Sequence, residues 1–544
     1  MTLWVHRRQR TGSILSAVAF LFLLNASPCR AELPTSFEFD APFETDSISV
    51  EQRIIQLEQS QQALREENQR LSSQIQRLSF QGDPVRTPFD ADGAPIPPSS
   101  TSDSLFGAVP TNDPTDRNSS SRFGSPRFDT ADEFPLDRSS VRSSAGGDPA
   151  NYFASYDRGF VVRPKDVEQS PFELKINGQN QIRYTGFSRE EPDWTDSAGT
   201  VTPLSNMSSF QIPRGRLIFS GFTFRKELLY NLNIDYNTVG SNQINFRAYW
   251  LAWRFNRTIT IYAGQSKVPG GREWLLSFVD TQGVDRSMAT TFFRPSLSQG
   301  IWATGEPADR VFYHVMMSNG FNTLGSTPQQ LSSLMAFSGS IWCEPFGDFG
   351  RGYSDFEWHA EPAIRVGTSL TYAPEEGPQG GSTVPENSPI RLSDGTLITQ
   401  TGALAPGTTL NAFKIGLASF DFAYKYRGFS LSGEFYSQNL FALRATSSIP
   451  QSSIYQFGGF AQAGYFVIPQ KLEPYVRTSH VTGPFGTGAE YAGGFNWFFL
   501  PEKQNLRFTL DAAWLDHSPA DQNRTNYQAG QTGILVRSQI QIFF

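Results

Sequence analysis

Ile534-Leu-Val-Arg-Ser-Gln-Ile-Gln-Ile-Phe-Phe544 closes the chain, and its pattern decides the fold. From Ile534 the even positions read Ile, Val, Ser, Ile, Ile and Phe, while the odd positions include Arg537, Gln539 and Gln541. Successive side chains of a strand point to opposite faces. The segment therefore has one apolar face and one wet face, as the wall of a membrane barrel requires. An edge strand of a soluble sandwich can carry the same alternation, so the rest of the chain must decide.

Working upstream, the alternation recurs. Phe172, Leu174, Ile176, Ile182 and Tyr184 alternate with Glu173, Lys175, Asn177, Gln179, Gln181 and Arg183. Leu228, Tyr230, Leu232, Ile234 and Tyr236 alternate with Leu229, Asn231, Asn233, Asp235 and Asn237. Similar segments lie near 244–255, 311–317, 361–372, 413–424, 429–437, 455–466, 472–479, 490–499 and 505–515. Tight turns such as Phe255-Asn-Arg-Thr258 alternate with long polar loops, notably about 373–411. Short turns at one end and long loops at the other are the layout of an outer-membrane barrel. A sandwich would have to hide outward aromatics such as Trp497, Phe498 and Phe499, which a bilayer and its aromatic girdles accommodate. The expected fold is all-β: an antiparallel transmembrane β-barrel over 171–544, with about 16 strands and with fourteen or eighteen also open.

The amino-terminal third reads differently. His6, Arg7, Arg8 and Arg10 precede an apolar stretch, Ile14 to Leu24, and Cys29-Arg-Ala31 offers a cleavage site, so residues 1–31 read as an export signal. After a short linker, 32–49, a heptad runs through 50–80. Ile54, Gln61, Asn68 and Ile75 take the a positions, and Val50, Leu57, Leu64, Leu71 and Leu78 the d positions. This is the seam of a coiled coil, placed in the periplasm and two- or three-stranded. Residues 81–170 are rich in Pro, Ser, Asp and Gly without a period, which predicts a disordered linker. The formal charge of −7 is concentrated ahead of Pro171, leaving the barrel region close to neutral. Any preference for anions must then come from where the basic residues sit.

Three stretches resemble the phosphate-selective porin O and P family. Pro213-Arg-Gly-Arg-Leu-Ile-Phe-Ser-Gly221 is similar to that family's Arg-Arg-x-Arg-Leu-x-Phe-x-Gly strand, with Pro213 in place of the first Arg. Arg247-Ala-Tyr249, followed by Gly264-Gln-Ser-Lys-Val-Pro-Gly-Gly-Arg-Glu273, looks like the strand that leads into the family's inward loop, with Gly270 where an aromatic is usual. Gly494-Phe-Asn-Trp-Phe-Phe-Leu-Pro501 is similar to its Gly-x-Asn-Trp-Tyr-x-Asn-Pro turn. The resemblance covers roughly 172–544. It implies an outer-membrane porin, trimeric, without cofactor, passing small inorganic or organic anions by diffusion, phosphate first among them.

Residue chemistry agrees in outline. Arg214 and Arg216 share one face, opposite Leu217, Phe219 and Gly221. Arg at mid-barrel on the lipid face would cost about 2–4 kcal/mol, so the pair should face the lumen. Arg183 lies on the wet face of the first strand, and Arg247 opposes Phe246, Ala248 and Trp250. The segment 267–300 is too long and polar for a turn and reads as a loop folded into the pore. It carries Lys267, Arg272, Arg286 and Arg294 against Glu273, Asp280 and Asp285. These eight basic residues are the candidate pore-lining and anion-binding set, because guanidinium forks match oxyanions. A mixed-charge eyelet with weak selectivity is the alternative reading of the same residues. The arm at 50–80 adds a second role, tethering the outer membrane to the cell wall. No Ser/His/Asp set, Cys/His cluster or phosphate-cradling Gly loop suggests an enzyme, a metal or a nucleic-acid partner.

Overall fold

The computed structural model describes residues 152–544 apart from 169, 241–243, 328–329, 332, 378–384, 386–388 and 501–502, together with residue 62. The export segment, the heptad helix and most of the linker lie outside the described residues.

β1 (Tyr152–Tyr156) and β2 (Phe160–Pro164) form a hairpin, and β2 adds to the edge of β3 (Phe172–Arg189). This corrects the expectation of linker up to 170. Asp157-Arg-Gly159 is a turn, with Gly159 at φ 153, and the Tyr, Phe and Val residues around it have β propensity. β4 (Asp193–Thr195) and β5 (Val201–Pro203) make a small hairpin in the first loop. There follow β6 (Met207–Thr223), β7 (Arg225–Tyr236), β8 (Ile244–Asn256), β9 (Ile259–Lys267), β10 (Leu297–Ala308), β11 (Val311–Ser318) and β12 (Ala336–Cys343). The series continues with β13 (Ala363–Glu376), β14 (Leu410–Tyr426), β15 (Phe429–Ala445), β16 (Ser453–Tyr465), β17 (Leu472–Gly483), β18 (Gly486–Phe498), β19 (Leu506–Ser518) and β20 (Gln531–Phe543). Sixteen of these, β3 and β6 to β20, pair antiparallel in sequence order, and β20 closes on β3 with Arg537 opposite Thr185. The result is a closed sixteen-stranded barrel.

The closing strand behaves as its alternation requires. Ile534, Val536, Ile540 and Ile542 are exposed on the outer face, whereas Arg537, Gln539 and Gln541 are buried inside. Gly178 and Phe544 exchange two backbone hydrogen bonds of 2.9 Å at the rim where the barrel begins and ends. A Cβ on Gly178 would lie 2.3 Å from the Phe544 ring, so glycine there leaves room for the terminal aromatic to fold over the rim.

This rim, the lower end, has mostly tight turns, such as Arg427-Gly428 between β14 and β15. The upper end carries long connections, above all 268–296 and 377–409. Two connections break the rule. β17 and β18 are joined at the top by residues 484–485 alone, and β12 and β13 are joined at the bottom by the long segment 344–362.

Candidate functional site in the barrel lumen

The segment 268–296 leaves β9 and crosses the lumen. It contains two short helices, α1 (Arg272–Leu275) and α2 (Met288–Phe293), with a 3-10 turn at Phe278–Asp280 between them. Its inward turn depends on Gly271, at φ 142, where a Cβ would stand 2.2 Å from Glu434 Oε1. That carboxylate accepts from the N–H groups of Arg272 (2.8 Å) and Glu273 (2.9 Å), which gives the orphan donors of α1 a partner on β15. Trp274 is 1% exposed, its indole N–H donates to the Val268 carbonyl at 3.0 Å, and Lys267, Arg286 and Arg294 all approach its ring. Trp274→Ala should cost about 3–5 kcal/mol, read as a lower unfolding midpoint of the detergent-solubilised barrel. An unchanged midpoint would show that the loop does not pack on this ring.

On the far side, Asp285 fastens the loop to the opposite wall. Arg214 Nη1 and Nη2 donate to its two oxygens at 2.5 and 3.0 Å, and Arg183 Nη2 donates at 2.8 Å. Arg477 Nη1 holds the Asp285 carbonyl at 2.8 Å. Burial would raise the Asp285 carboxyl, but Arg214 and Arg183 hold it well below the usual carboxylate range.

Beside this anchor, basic residues gather on the β6–β8 side of the lumen. Arg216 donates from Nε to Asp235 at 2.9 Å and lies over the Phe278 ring at 4.3 Å. Arg524, from the loop before β20, meets the other oxygen of Asp235 at 2.6 Å. Arg247 sits at a β8 bulge, within electrostatic reach of Arg214, Arg216, Arg524 and Asp235. Arg294 lies over Trp274 at 4.3 Å. Burial, then Arg286 and Arg214, lower its guanidinium to about 9, so it stays charged at neutral pH. Five guanidinium groups (Arg214, Arg216, Arg247, Arg294 and Arg524) thus surround two carboxylates, Asp235 and Asp285. On the interior of this wall Gln211, Asn233, Arg247, Trp250 and Arg254 are half-buried, as are Arg294 and Arg524 in the loops.

The eight candidates from the sequence divide into two groups. Arg214, Arg216, Arg247 and Arg294 belong to this cluster. Arg183, Lys267, Arg272 and Arg286 are buried and spent on protein acceptors. Arg183 also donates to Gln539 and Asn526, Lys267 to the Leu275 and Leu276 carbonyls, Arg272 to the Gly352 carbonyl, and Arg286 to the Glu273 and Leu276 carbonyls. These four hold the loop in place. Sequence reasoning missed Arg524, which lies in an aperiodic loop, and the inward arginines Arg477 and Arg507. The last two stand in strand alternation and were legible in principle.

The lower connection 344–362 also turns inward. Arg351 Nε meets Asp280 at 2.7 Å and Ser354 donates to Glu473 at 2.7 Å, so loops from both ends meet inside the barrel. On the same segment the ligand-type atoms of Asp355, Glu357 and His359 lie within 4.8 Å of one another. Asp355 is already taken up by the Gly428 N–H (2.7 Å) and by His359 Nδ1 (2.5 Å), which makes the group a fastening for this loop.

A family model described as phosphate-selective porin O and P matches residues 388–542, from the loop before β14 into β20. The Gly494–Pro501 motif lies within the match, and the other two motifs lie outside it. No curated protein matches the chain. Solved structures similar to it include outer-membrane expressed OmpT of Vibrio cholerae, at 12% identity and TM-score 0.40 over 68% of this chain and 98% of that one. The anion-selective porin from Comamonas acidovorans gives 12% identity and TM-score 0.40 over 68% and 99%. The outer membrane channel DcaP of Acinetobacter baumannii gives 10% and 0.42 over 68% and 97%.

Proposed function

We propose that this chain is an outer-membrane porin that lets small anions diffuse past a basic constriction, phosphate being the first solute to test. The observation that carries the reading is the cluster of Arg214, Arg216, Arg247, Arg294 and Arg524 around only Asp235 and Asp285. An excess of fixed positive charge in a narrow, low-dielectric passage raises the local anion concentration and lowers that of cations. Guanidinium donors also suit the paired oxygens of phosphate and carboxylates. The description of the family matched over 388–542 supports phosphate as the lead.

Diffusion needs no cofactor and no energy source. In this reading the lower end, with both ends of the barrel sequence, faces the periplasm, where the 50–80 helix would lie. A homotrimer is the assembly expected from the resemblance to the phosphate-selective porin O and P family. Tethering to the cell wall rests on the 50–80 helix, outside the described residues. A weakly selective general porin is the second reading, favoured by Asp235 and Asp285 standing inside the basic cluster.

Arg216→Ala with Arg247→Ala should lower the anion-to-cation permeability ratio several-fold in planar bilayers, read as a shift in reversal potential across a KCl gradient. Phosphate should reduce chloride conductance of the unaltered channel more strongly than sulfate or small dicarboxylates do. Equal reversal potentials for variant and wild type would remove the cluster from the mechanism, and equal competition by all anions would favour the general porin.

A further inference from the structure

On the outer wall, strand alternation fixes the height of one lysine. Lys414, Gly416 and Ala418 share the parity of the exposed Phe420 and Phe422 on β14, so all of them point outward. Tyr424, on the same face, packs with Phe429 at the lower turn. At a rise of about 3.4 Å per residue and a tilt of about 40°, Lys414 stands roughly 25 Å above Tyr424, the full height of a barrel's apolar band. It therefore lies at the level of the upper lipid headgroups. Its ammonium is 6.0 Å from the centre of the Tyr372 ring and forms no ion pair among the described residues.

Directly below that lysine the outer face of β10–β15 is hollow. One row of outward positions across these strands runs Ala303, Val315, Gly339, Leu370, Ala418 and Ser437, and the row above it includes Phe337, Tyr372, Gly416 and Asn439. The small residues leave a groove of about 810 Å³, walled by the exposed Phe337, Leu370 and Tyr372. Nothing in the backbone demands glycine here. Neither Gly339 nor Gly416 has a positive φ, and a Cβ would come no closer than 3.4 Å to Val315 at the first and 3.7 Å to Phe441 at the second. Glycine weakens a strand, and where φ and packing would admit a side chain it marks a place that another molecule approaches closely. A smaller cleft of about 490 Å³ above the groove is lined by Lys414, Arg444 and Glu376, the last two paired with each other.

We propose that this face is a discrete docking site for an anionic lipid of the outer leaflet, with an acyl chain in the groove and its phosphate against Lys414 and Arg444. The site rests on the outer-membrane reading and on no lumen residue. The features stand in the order of a lipid's own parts. The apolar groove is lowest, the exposed amide of Asn439 stands at its upper edge where ester carbonyls would come, and the positive charge is on top. Lys414 and Arg444 against Glu376 leave one net positive charge at headgroup level, which favours an anionic over a neutral lipid about fivefold. A second copy of this chain would meet the projecting Phe337 and Leu370 before the floor of the groove, and would have to bring its own carboxylate to Lys414.

The test uses the full chain in detergent, stripped of lipid and titrated with dimyristoyl phosphatidylglycerol or dimyristoyl phosphatidylcholine, with bound lipid counted by native mass spectrometry. Wild type should bind phosphatidylglycerol saturably and phosphatidylcholine about fivefold more weakly. Lys414→Glu should abolish that preference. Gly339→Leu with Ala418→Leu, checked for barrel folding by heat-dependent gel migration, should fill the groove and lower the retention of both lipids. Equal binding of the two lipids by wild type, or unchanged retention in the filled variant, would overturn the site. Loss of an oligomer in the filled variant with lipid retention unchanged would overturn it in favour of a second copy on this face. The reversal potential in a KCl gradient should be the same for wild type and both variants. Absence of anion preference in wild type would overturn the anion-porin reading and leave the lipid site standing.

Discussion

Asp285→Ala should destabilise the protein by about 3–5 kcal/mol, because it leaves buried charges without their partner. The side chains of Asp285 and Arg183 are 0% exposed and that of Arg214 is 4% exposed. Surface ion pairs contribute little, but here neither arginine can turn to water once the carboxylate is gone. The loop would lose this carboxylate attachment to β3 and β6, while the Arg477 bond to the Asp285 carbonyl, the Val284 N–H bond to Asp511 and the Glu434 bonds to α1 remain. Two readouts should move together: a lower unfolding midpoint in detergent, and new protease cleavage after Arg286 or Arg294. Arg214→Ala should show part of the same effect, and the double variant less than the sum, since the two residues share one interaction. Full protection of the loop in Asp285→Ala would show that the anchor is dispensable.

The same carboxylate sets a pH window. Despite burial, Arg214 and Arg183 hold its folded pKa below the unfolded value of about 3.9. Its stabilisation is therefore complete above that unfolded value and is lost only as pH falls through the depressed folded one. Hydrogen exchange of 280–290 should stay slow at pH 4.5, where an ordinary carboxylate anchor would already be weakening.

How far the sequence carries this site depends on the range of each contact. Period-two alternation identified the strands, and the two-residue spacing of Arg214 and Arg216 placed both inside, because strand geometry is local. Closure of β20 on β3 follows from amphipathic first and last strands with no edge left to water. The length and Pro269-Gly-Gly271 start of the inward loop were also readable. Which arginine meets which acceptor was not. Arg183 meets Asp285 102 residues away, and Arg214 meets it 71 residues away across the lumen. Asp285 and Arg286 are neighbours in sequence yet do opposite work, the first reaching the far wall and the second turning back to the Glu273 and Leu276 carbonyls. Nor does anything in 344–362 mark it as an inward segment. Its burial is imposed by Asp280, Glu473 and Gly428, which only the closed barrel brings near.

Arg247→Glu with Arg294→Glu should reverse the ion preference of the channel. These two are chosen from the cluster because neither forms an ion pair among the described residues. Among the described residues Arg294 donates only to the Pro295 carbonyl and stacks on Trp274, and the Arg247 side chain makes no hydrogen bond. The exchange changes the local charge by four units. A unit charge about 8 Å from a passing ion contributes roughly 0.5–2 kcal/mol for an effective dielectric between 20 and 80. Physiological salt, with a Debye length of about 8 Å, removes part of this, though less inside a narrow lumen. Even at the low end four units amount to about 2 kcal/mol, more than a tenfold change in relative ion occupancy. The reversal potential in a KCl gradient should then change sign, and phosphate should no longer compete with the remaining chloride current. Arg183→Gln is the contrasting substitution. It removes a positive charge that is enclosed by Asp285, Gln539 and Asn526, so it should lower stability while leaving the sign of selectivity alone. If the double Glu variant kept its anion preference, the ions would be travelling along some other wall than β6–β8.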